Sequence, residues 1–154
     1  MVLRTLGRFA LGGCVIVTLF DRIGHPACIQ GSSMYPTLDG ASPSLWGRDI
    51  VWLSTLSINN PSIGKIYTFT NIFRSPRDPN SVLIKRVTAV EGSLVRRKPN
   101  SELFIVPEGS CWLTSDNETK EFSDSQNFGP VSYGLLKGRA THIIWPPSRW
   151  SSIK

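Results

Sequence analysis

The stretch SVLIKRVTAV, residues 81–90, indicates how this chain folds. Successive side chains of a β-strand point to opposite faces, so every second residue shares a face with Lys85. The residues on that face are Leu83, Val87 and Ala89. The stretch therefore predicts a strand that carries a single cation on an otherwise apolar face.

Similar short apolar stretches recur along the chain, separated by turns rich in Gly, Pro, Ser and Asn. They predict strands at 26–31, 49–55, 65–70, 81–90, 102–106, 110–114 and 138–145. The turns between them are expected at 39–48, 58–64, 74–80 and 97–101. No long amphipathic helix is evident beyond the N-terminal region. We therefore predict a mainly antiparallel β domain.

Length and composition narrow the class of protein. A chain of 154 residues holds about one domain, and 40% hydrophobic with 18% charged residues argues against disorder. Cys14, Cys28 and Cys111 show no CxxC spacing, so neither a disulfide scaffold nor a zinc finger is expected. The net charge of +6 suits nucleic acid, an anionic membrane or acidic partners equally well.

The N-terminal region contains a run without charge, residues 9–20, preceded by Arg4 and Arg8. A membrane-spanning helix needs about 20 apolar residues, and Leu6-Gly7 extends the run if Arg8 snorkels. The Arg-rich, acid-poor pattern is also typical of a mitochondrial import segment. A cleaved signal peptide, a buried helix and an uncleaved anchor remain open. The charge bias would place the N-terminus of an anchor on the charge-retaining side and export the rest.

The string GSSMYPTL, residues 31–38, offers a hydroxyl on a constrained turn. Gly31 permits the close approach of another backbone segment, and Pro36 restrains both itself and the residue before it. Ser33 would then present its Oγ and its N–H in a defined orientation, as a nucleophile requires. A polar loop without catalytic function is the alternative interpretation.

The best candidate base for this serine is Lys85. His25 and His142 have no evident Asp or Ser context that would complete a Ser-His-Asp triad. A lysine desolvated on an apolar face has a pKa below its usual value of about 10.4, and a base at neutral pH requires roughly 7–8. The competing interpretation is an edge-strand lysine that reaches solvent.

A third string, SDSQNFGPV at residues 123–131, is either an ordinary polar turn or part of the site. In the functional interpretation it supplies an acid that neutralises Arg86 and hydroxyls that orient the Lys85 amine.

Together, these strings resemble the type I signal peptidases, membrane proteases that use a Ser/Lys dyad. The family's S-M-x-P-T, K-R-V with E/P-G, and D-S-x-x-F/W-G boxes match residues 33–37, 85–87 with 91–92, and 124–129, in the family's order. The similarity runs from about residue 14 to residue 150. The segment 18–22 and strings between 128 and 147 resemble the mitochondrial inner membrane protease branch of that family.

The resemblance implies a role for each matched residue. Ser33 is the expected nucleophile, with its N–H as one oxyanion donor, and Lys85 is the expected general base. Met34 is expected to pack beneath the nucleophile. Asp124 is expected to pair with Arg86.

Some positions depart from the family pattern. Bacterial members have a serine donor where Gly31 stands, so another group must complete the oxyanion hole. The family's Gly-Asp pair is replaced by Ser-Asp-Asn at 115–117, and its lysine-orienting serine falls on Phe122. Either Ser123 takes that role through a shifted loop, or Lys85 is less well oriented.

The resemblance also implies a fold, a substrate and a location. It implies a partly barrel-like antiparallel catalytic domain at 25–154, behind a membrane anchor with import character at 1–24. The expected activity removes sorting or signal peptides from preproteins delivered to the mitochondrial intermembrane space, with the enzyme single-pass in the inner membrane and its catalytic domain facing that space. The substrate is expected to be an extended peptide with small residues at the first and third positions before the cut, added as a strand beside the segment leading into Gly31.

The same resemblance implies no metal, no organic cofactor and no nucleic acid. The expected partners are inner membrane lipid and the other catalytic subunit of the protease.

Three rival interpretations remain open. A self-cleaving repressor protease would need a helix-turn-helix where this chain has its apolar run. A signal peptidase of another membrane is the second, and the endoplasmic reticulum type has histidine in place of Lys85. The third is a non-catalytic membrane subunit that stabilises a partner protease, supported by the altered Ser115 and Phe122 positions.

Overall fold

The computed structural model describes Thr18, Phe20 and residues 22–56, 58–71, 81–97, 102–118 and 123–154. Its strands are β1 (Gly24–Cys28), β2 (Ile50–Ser54), β3 (Ile66–Thr70), β4 (Val82–Val90), β5 (Leu94–Arg97), β6 (Glu102–Ile105), β7 (Ser110–Thr114), β8 (Val131–Ser132), β9 (Leu136–Trp145) and β10 (Ser151–Ser152). One α-helical turn, α1, spans Ser125–Phe128, and short 3-10 turns lie at Leu45–Gly47, Tyr133–Leu135 and Pro147–Arg149.

The strands form one large and one small antiparallel sheet. The large sheet has the order β1-β2-β9-β3-β4-β7-β8, with β10 added to β9, and β5 pairs with β6 in the small one. Every strand pair within the described residues is antiparallel. The prediction of a mainly antiparallel β fold is therefore confirmed.

The predicted anchor at 1–24 lies mostly outside the described residues. Thr18, Phe20, Arg22 and Ile23 are helical, and β1 begins at the next residue, Gly24. In the part of the chain that the structure describes, no helix is both long and apolar enough to cross a membrane.

The core joins the loop after β1 to the large sheet. Alternate residues of β2 point inward, and Val51 packs in one apolar cluster with Met34 and Leu38. A second cluster, which includes Tyr67 and Phe69 of β3, is shared with β4 and β7. The loop that follows β1 is thus fixed to the sheet by buried side chains.

The strand β5 was not predicted from the sequence. Its four residues, LVRR, include two cations and lead into the predicted turn at 97–101. β5 pairs only with β6 among the described strands, and its Val95 packs with Phe104 of β6 against the cluster of Ala89, Val106 and Trp112. The strand was missed because it is short and two of its four residues are cations next to a turn. Its exposed face also carries the apolar Leu94, which is opposite Ile105 of β6.

Strand β4 changes partner along its length. Residues 82–86 pair with β3, and β7 pairs with residues between Arg86 and Val90. Arg86 is opposite both Ile66 of β3 and Thr114 of β7. The opposite edge of residues 82–85 has no strand partner among the described residues, and this opening is where the candidate site lies.

Candidate active site

The loop that carries Ser33 depends on two glycines. The N–H of Gly31 donates to the carbonyl of Gly40 at 3.0 Å, and Gly31 has a φ of 83°, a left-handed conformation that favours glycine. A Cβ atom at Gly40 would lie 2.7 Å from the Gly31 oxygen, whereas one at Gly31 would meet nothing within 4 Å. The close backbone approach that was predicted at Gly31 therefore requires a glycine at position 40. At position 31 a glycine is favoured by the positive φ angle.

Ser33 and Lys85 are in direct contact. Lys85 Nζ lies 2.7 Å from Ser33 Oγ, to which it donates a hydrogen bond. The lysine is 3% exposed, and its strand neighbour Tyr67 is fully buried. Burial disfavours the charged form of an amine, so this geometry can pass a proton from the hydroxyl to a neutral lysine.

The Ser33 backbone is held from one side by Asn117. The Asn117 N–H donates to the Ser33 carbonyl at 3.0 Å, and its Nδ2 donates to the Ser32 carbonyl at 2.8 Å. None of the hydrogen bonds among the described residues uses the Ser33 N–H itself. Asn117 thus engages both carbonyls, and the Ser33 N–H remains available as a donor in the described part of the chain.

Arg86 pairs with Asp116, not with Asp124 as predicted. Arg86 Nε and Nη2 donate to the two Asp116 carboxylate oxygens at 2.9 Å and 2.6 Å. The Asp116 hydrogen bonds raise the pKa of Arg86 above its usual value. Thr37 donates to the same carboxylate at 2.6 Å, so this ion pair also anchors the end of the Ser33 loop.

Asp124 has a local structural role instead. Its carboxylate accepts hydrogen bonds from the N–H groups of Gln126 at 2.9 Å and Ser115 at 3.2 Å, which caps α1 and ties it to the end of β7. This helix-capping geometry satisfies orphan N–H groups. The prediction that Asp124 neutralises Arg86 is wrong, because Asp116, two residues after the end of β7, binds Arg86 while Asp124 caps α1.

The two hydroxyls of the third string, those of Ser123 and Ser125, differ in their surroundings. Ser123 is exposed, and no hydrogen bond among the described residues joins it to Lys85. Ser125 is buried and accepts from the Leu113 N–H at 2.9 Å. Phe122, the matched position of the family's orienting serine, lies outside the described residues.

A cavity of about 370 Å³ opens beside the dyad. Its lining includes Ala27, Cys28 and Ile29 at the end of β1 and Ile84 of β4, together with Ser33 and Lys85. Aliphatic side chains dominate this part of the lining. The cavity therefore fits small apolar groups next to the Ser33 hydroxyl.

Other possible nucleophiles and bases are less suited to catalysis. Burial raises the pKa of the Cys111 thiol to about 12, so this thiol stays protonated. His142 is exposed and contacts Thr141 through Nδ1 at 3.1 Å. His25 lines the cavity of the dyad and is exposed. In the described ranges, no three His, Cys, Asp or Glu side chains cluster as metal ligands would.

Comparison with known proteins relates the chain to a protease family. The zebrafish (Danio rerio) mitochondrial inner membrane protease subunit 2 is 40% identical over 143 residues, which are 91% of this chain and 74% of that protein. The Saccharomyces cerevisiae subunit 2 is 34% identical over 141 residues, 90% of this chain and 77% of its own. The chain belongs to the mitochondrial inner membrane protease family.

Two further comparisons concern the other subunit of the protease and a solved structure. Human mitochondrial inner membrane protease subunit 1 is 33% identical, covering 98% of this chain and 87% of that protein. A crystal structure of a signal peptidase I from Enterococcus faecalis aligns at 22% identity and a TM-score of 0.40, over 55% of this chain and all of that one. No protein-family model matches the chain. The resemblance to the inner membrane protease branch that the sequence strings indicate is confirmed by these relatives, and the chain is a protease of that family.

Two residues of this protease site were missed by sequence reasoning. Asp116 and Asn117 hold Arg86 and the Ser33 loop, yet they were noted only as a departure from the family's Gly-Asp pair. The aspartate of that pair was the available signal, because it is retained at 116 while the glycine before it is replaced.

Proposed function

We propose that this protease cleaves peptides with a Ser33/Lys85 dyad. The observation that carries the proposal is the 2.7 Å contact between a 3% exposed Lys85 amine and the Ser33 hydroxyl. Neutral Lys85 takes the Ser33 proton as Oγ attacks the scissile carbonyl, and the resulting ammonium protonates the leaving amine. The same lysine then activates the water that hydrolyses the acyl-enzyme. The Ser33 N–H donates to the oxyanion.

The burial of Lys85 favours the neutral form of its amine. Burial removes the water that would solvate an ammonium. The next residue, Arg86, lies on the opposite face of the strand, where Asp116 balances its charge. The buried position of Lys85 on β4 thus favours the neutral amine that a general base requires.

The cavity supports an extended peptide as substrate. Residues 82–85 of β4 present an edge without a strand partner in the described part of the chain, and β1 is the last strand of the sheet on its side. An extended peptide between these edges would gain main-chain hydrogen bonds. The aliphatic lining next to Ser33 suits small side chains before the cut, as a cleavable sorting or signal peptide would provide.

We place this activity in the mitochondrial inner membrane. Relatives named for both subunits of the inner membrane protease support that location and a complex with the other catalytic subunit. Residues 1–24 would form a single-pass anchor and 25–154 the catalytic domain, facing the intermembrane space. Preproteins with cleavable sorting signals would be the substrates, and membrane lipid would surround the anchor.

The test is cleavage of a fluorogenic presequence peptide by the full chain, purified together with a sister subunit whose own catalytic serine is alanine. Ser33→Ala and Lys85→Met should each abolish cleavage while circular dichroism stays unchanged. Lys137→Met, which removes an exposed lysine of β9, should leave cleavage intact. Unchanged cleavage in either dyad variant, or no cleavage by the unmodified chain in this complex, would instead support a non-catalytic subunit.

A further inference from the structure

We propose that a second cavity, on the opposite side of β2 from the apolar core, binds a phosphate group. It encloses about 380 Å³ and shares no lining residue with the cavity at the dyad. Its polar and aromatic lining consists of Trp52, Ser54, Lys65, Arg139, Thr141 and His142. We call it the cationic cavity.

The charges of the cationic cavity are unbalanced. No Asp or Glu lines it. The ion pairs between described residues join Arg86 to Asp116 and Arg149 to Asp49, so Lys65 and Arg139 have no carboxylate within 4 Å there. Both of these cations are half-buried. Partly desolvated cations that lack an internal partner favour the entry of an anion.

The geometry of the lining suits phosphate in particular. Arg139 and Ser54 are directly opposite each other in the β9–β2 pair, and His142 is opposite Trp52. A guanidinium, an ammonium and a hydroxyl are the donors that phosphate oxygens accept from most readily. Ser54 Oγ accepts only a long hydrogen bond from Leu56 N, at 3.4 Å, so its own proton can be donated.

The position of the cavity suggests where the phosphate comes from. Trp52 packs against Phe20, with ring centroids 6.3 Å apart, and the Thr55 hydroxyl donates to the Arg22 carbonyl at 2.7 Å. The N-terminal segment therefore meets the sheet beside the cationic cavity. If that segment is the proposed anchor, the cavity lies at the membrane surface and the phosphate is that of an anionic phospholipid. This choice of source rests on the proposed anchorage, whereas phosphate binding itself does not.

The experiment measures how fast each lysine of the full chain is acetylated by a water-soluble N-hydroxysuccinimide ester, using mass spectrometry. The chain is reconstituted in vesicles of phosphatidylcholine alone and in vesicles with about one-fifth phosphatidylglycerol, and Lys137 serves as the internal reference. Phosphatidylglycerol should slow Lys65 relative to Lys137 by about fivefold, as four-fifths occupancy requires. Inorganic phosphate added to the phosphatidylcholine vesicles tests the free ion as the source.

Variants separate a site from a general surface charge. Arg139→Gln should abolish the protection of Lys65, whereas Arg96→Gln, which removes an exposed cation of the β5–β6 hairpin, should leave it intact. Protection by phosphatidylglycerol alone assigns a lipid headgroup, and equal protection by inorganic phosphate assigns a free anion. Protection by neither, or protection that survives Arg139→Gln, overturns the proposal. Because no activity is measured, these outcomes are independent of the proposed dyad.

Discussion

The two halves of β4 place two neighbouring basic residues, Lys85 and Arg86, in different surroundings. Residues 82–85 pair with β3 on one side and line the cavity of the dyad, so Lys85 meets Ser33 there. From Arg86 onward the second edge is closed by β7, and Arg86 forms two hydrogen bonds with the Asp116 carboxylate. The point where β7 ends therefore separates a reactive amine from a structural guanidinium one residue away.

The largest effect is expected from Lys85→Arg, which puts the side chain of Arg86 at the neighbouring position. Arginine stays protonated at any usable pH, so it cannot accept the Ser33 proton. Peptide cleavage should fall by about 10³-fold or more, since general-base catalysis and nucleophile activation are lost together. The measurement is kcat/KM with the fluorogenic presequence peptide.

The control for this substitution is Arg86→Lys, which makes the reverse change. It should retain most of the cleavage, because a lysine can still contact Asp116 although without the paired hydrogen bonds. A Lys85→Arg enzyme as active as the unmodified one would show that the amine is not the base. The two halves of β4 would then not differ in catalytic role.

The next largest effect is expected from Asp116→Ala, which removes the carboxylate that pairs with Arg86. Arg86 is 21% and Asp116 12% exposed, so the free energy of unfolding should fall by about 2 kcal/mol, below the range for fully buried pairs. Thr37 also loses its acceptor, which should loosen the Ser33 loop and reduce kcat. Urea denaturation measures the stability.

The matched comparison is Asp124→Ala, at the residue first expected to pair with Arg86. It removes a helix cap and should cost about 1 kcal/mol. If Asp124→Ala destabilised the protein more than Asp116→Ala, the observed ion pair would not be the one that matters in solution.

The sequence predicts the surroundings of Lys85 better than those of Arg86. Lys85 was predicted because the alternation of a strand depends on its own residues, and the Ser33 loop because its box is contiguous. The partner of Arg86 was predicted wrongly. Two aspartates follow β7, and the choice between them depends on the local capping of α1, which occupies Asp124. Such competition between a helix cap and a distant ion pair leaves no periodic signal in the chain.

A smaller effect is expected from Asn117→Ala, which changes the support of the Ser33 loop and leaves Lys85 in place. It removes the Nδ2 hydrogen bond to the Ser32 carbonyl but keeps the backbone bond to Ser33. A slightly misplaced nucleophile should lower kcat about tenfold with little change in KM, and the pH profile of kcat should keep its midpoint. Steady-state kinetics across pH give all three values.

Asn127→Ala on α1 is the control for an asparagine outside the loop, and it should leave kcat unchanged. A loss of thermal stability in Asn117→Ala, with kcat preserved well below the melting temperature, would reduce Asn117 to a purely structural residue.

The smallest effect is expected from Ser123→Ala. The hydroxyl is exposed, and among the described residues it makes no hydrogen bond to Lys85, whose amine contacts Ser33. Surface substitutions of this kind change stability within about 0.5 kcal/mol, and kcat/KM should change less than about twofold, the equivalent of 0.4 kcal/mol. A much larger loss of kcat, without a loss of stability, would show that the loop at 123 moves to Lys85 during catalysis. Residues 123–131 would then help to position Lys85. The difference between Lys85 and Arg86 would be determined by that loop as well as by the end of β7.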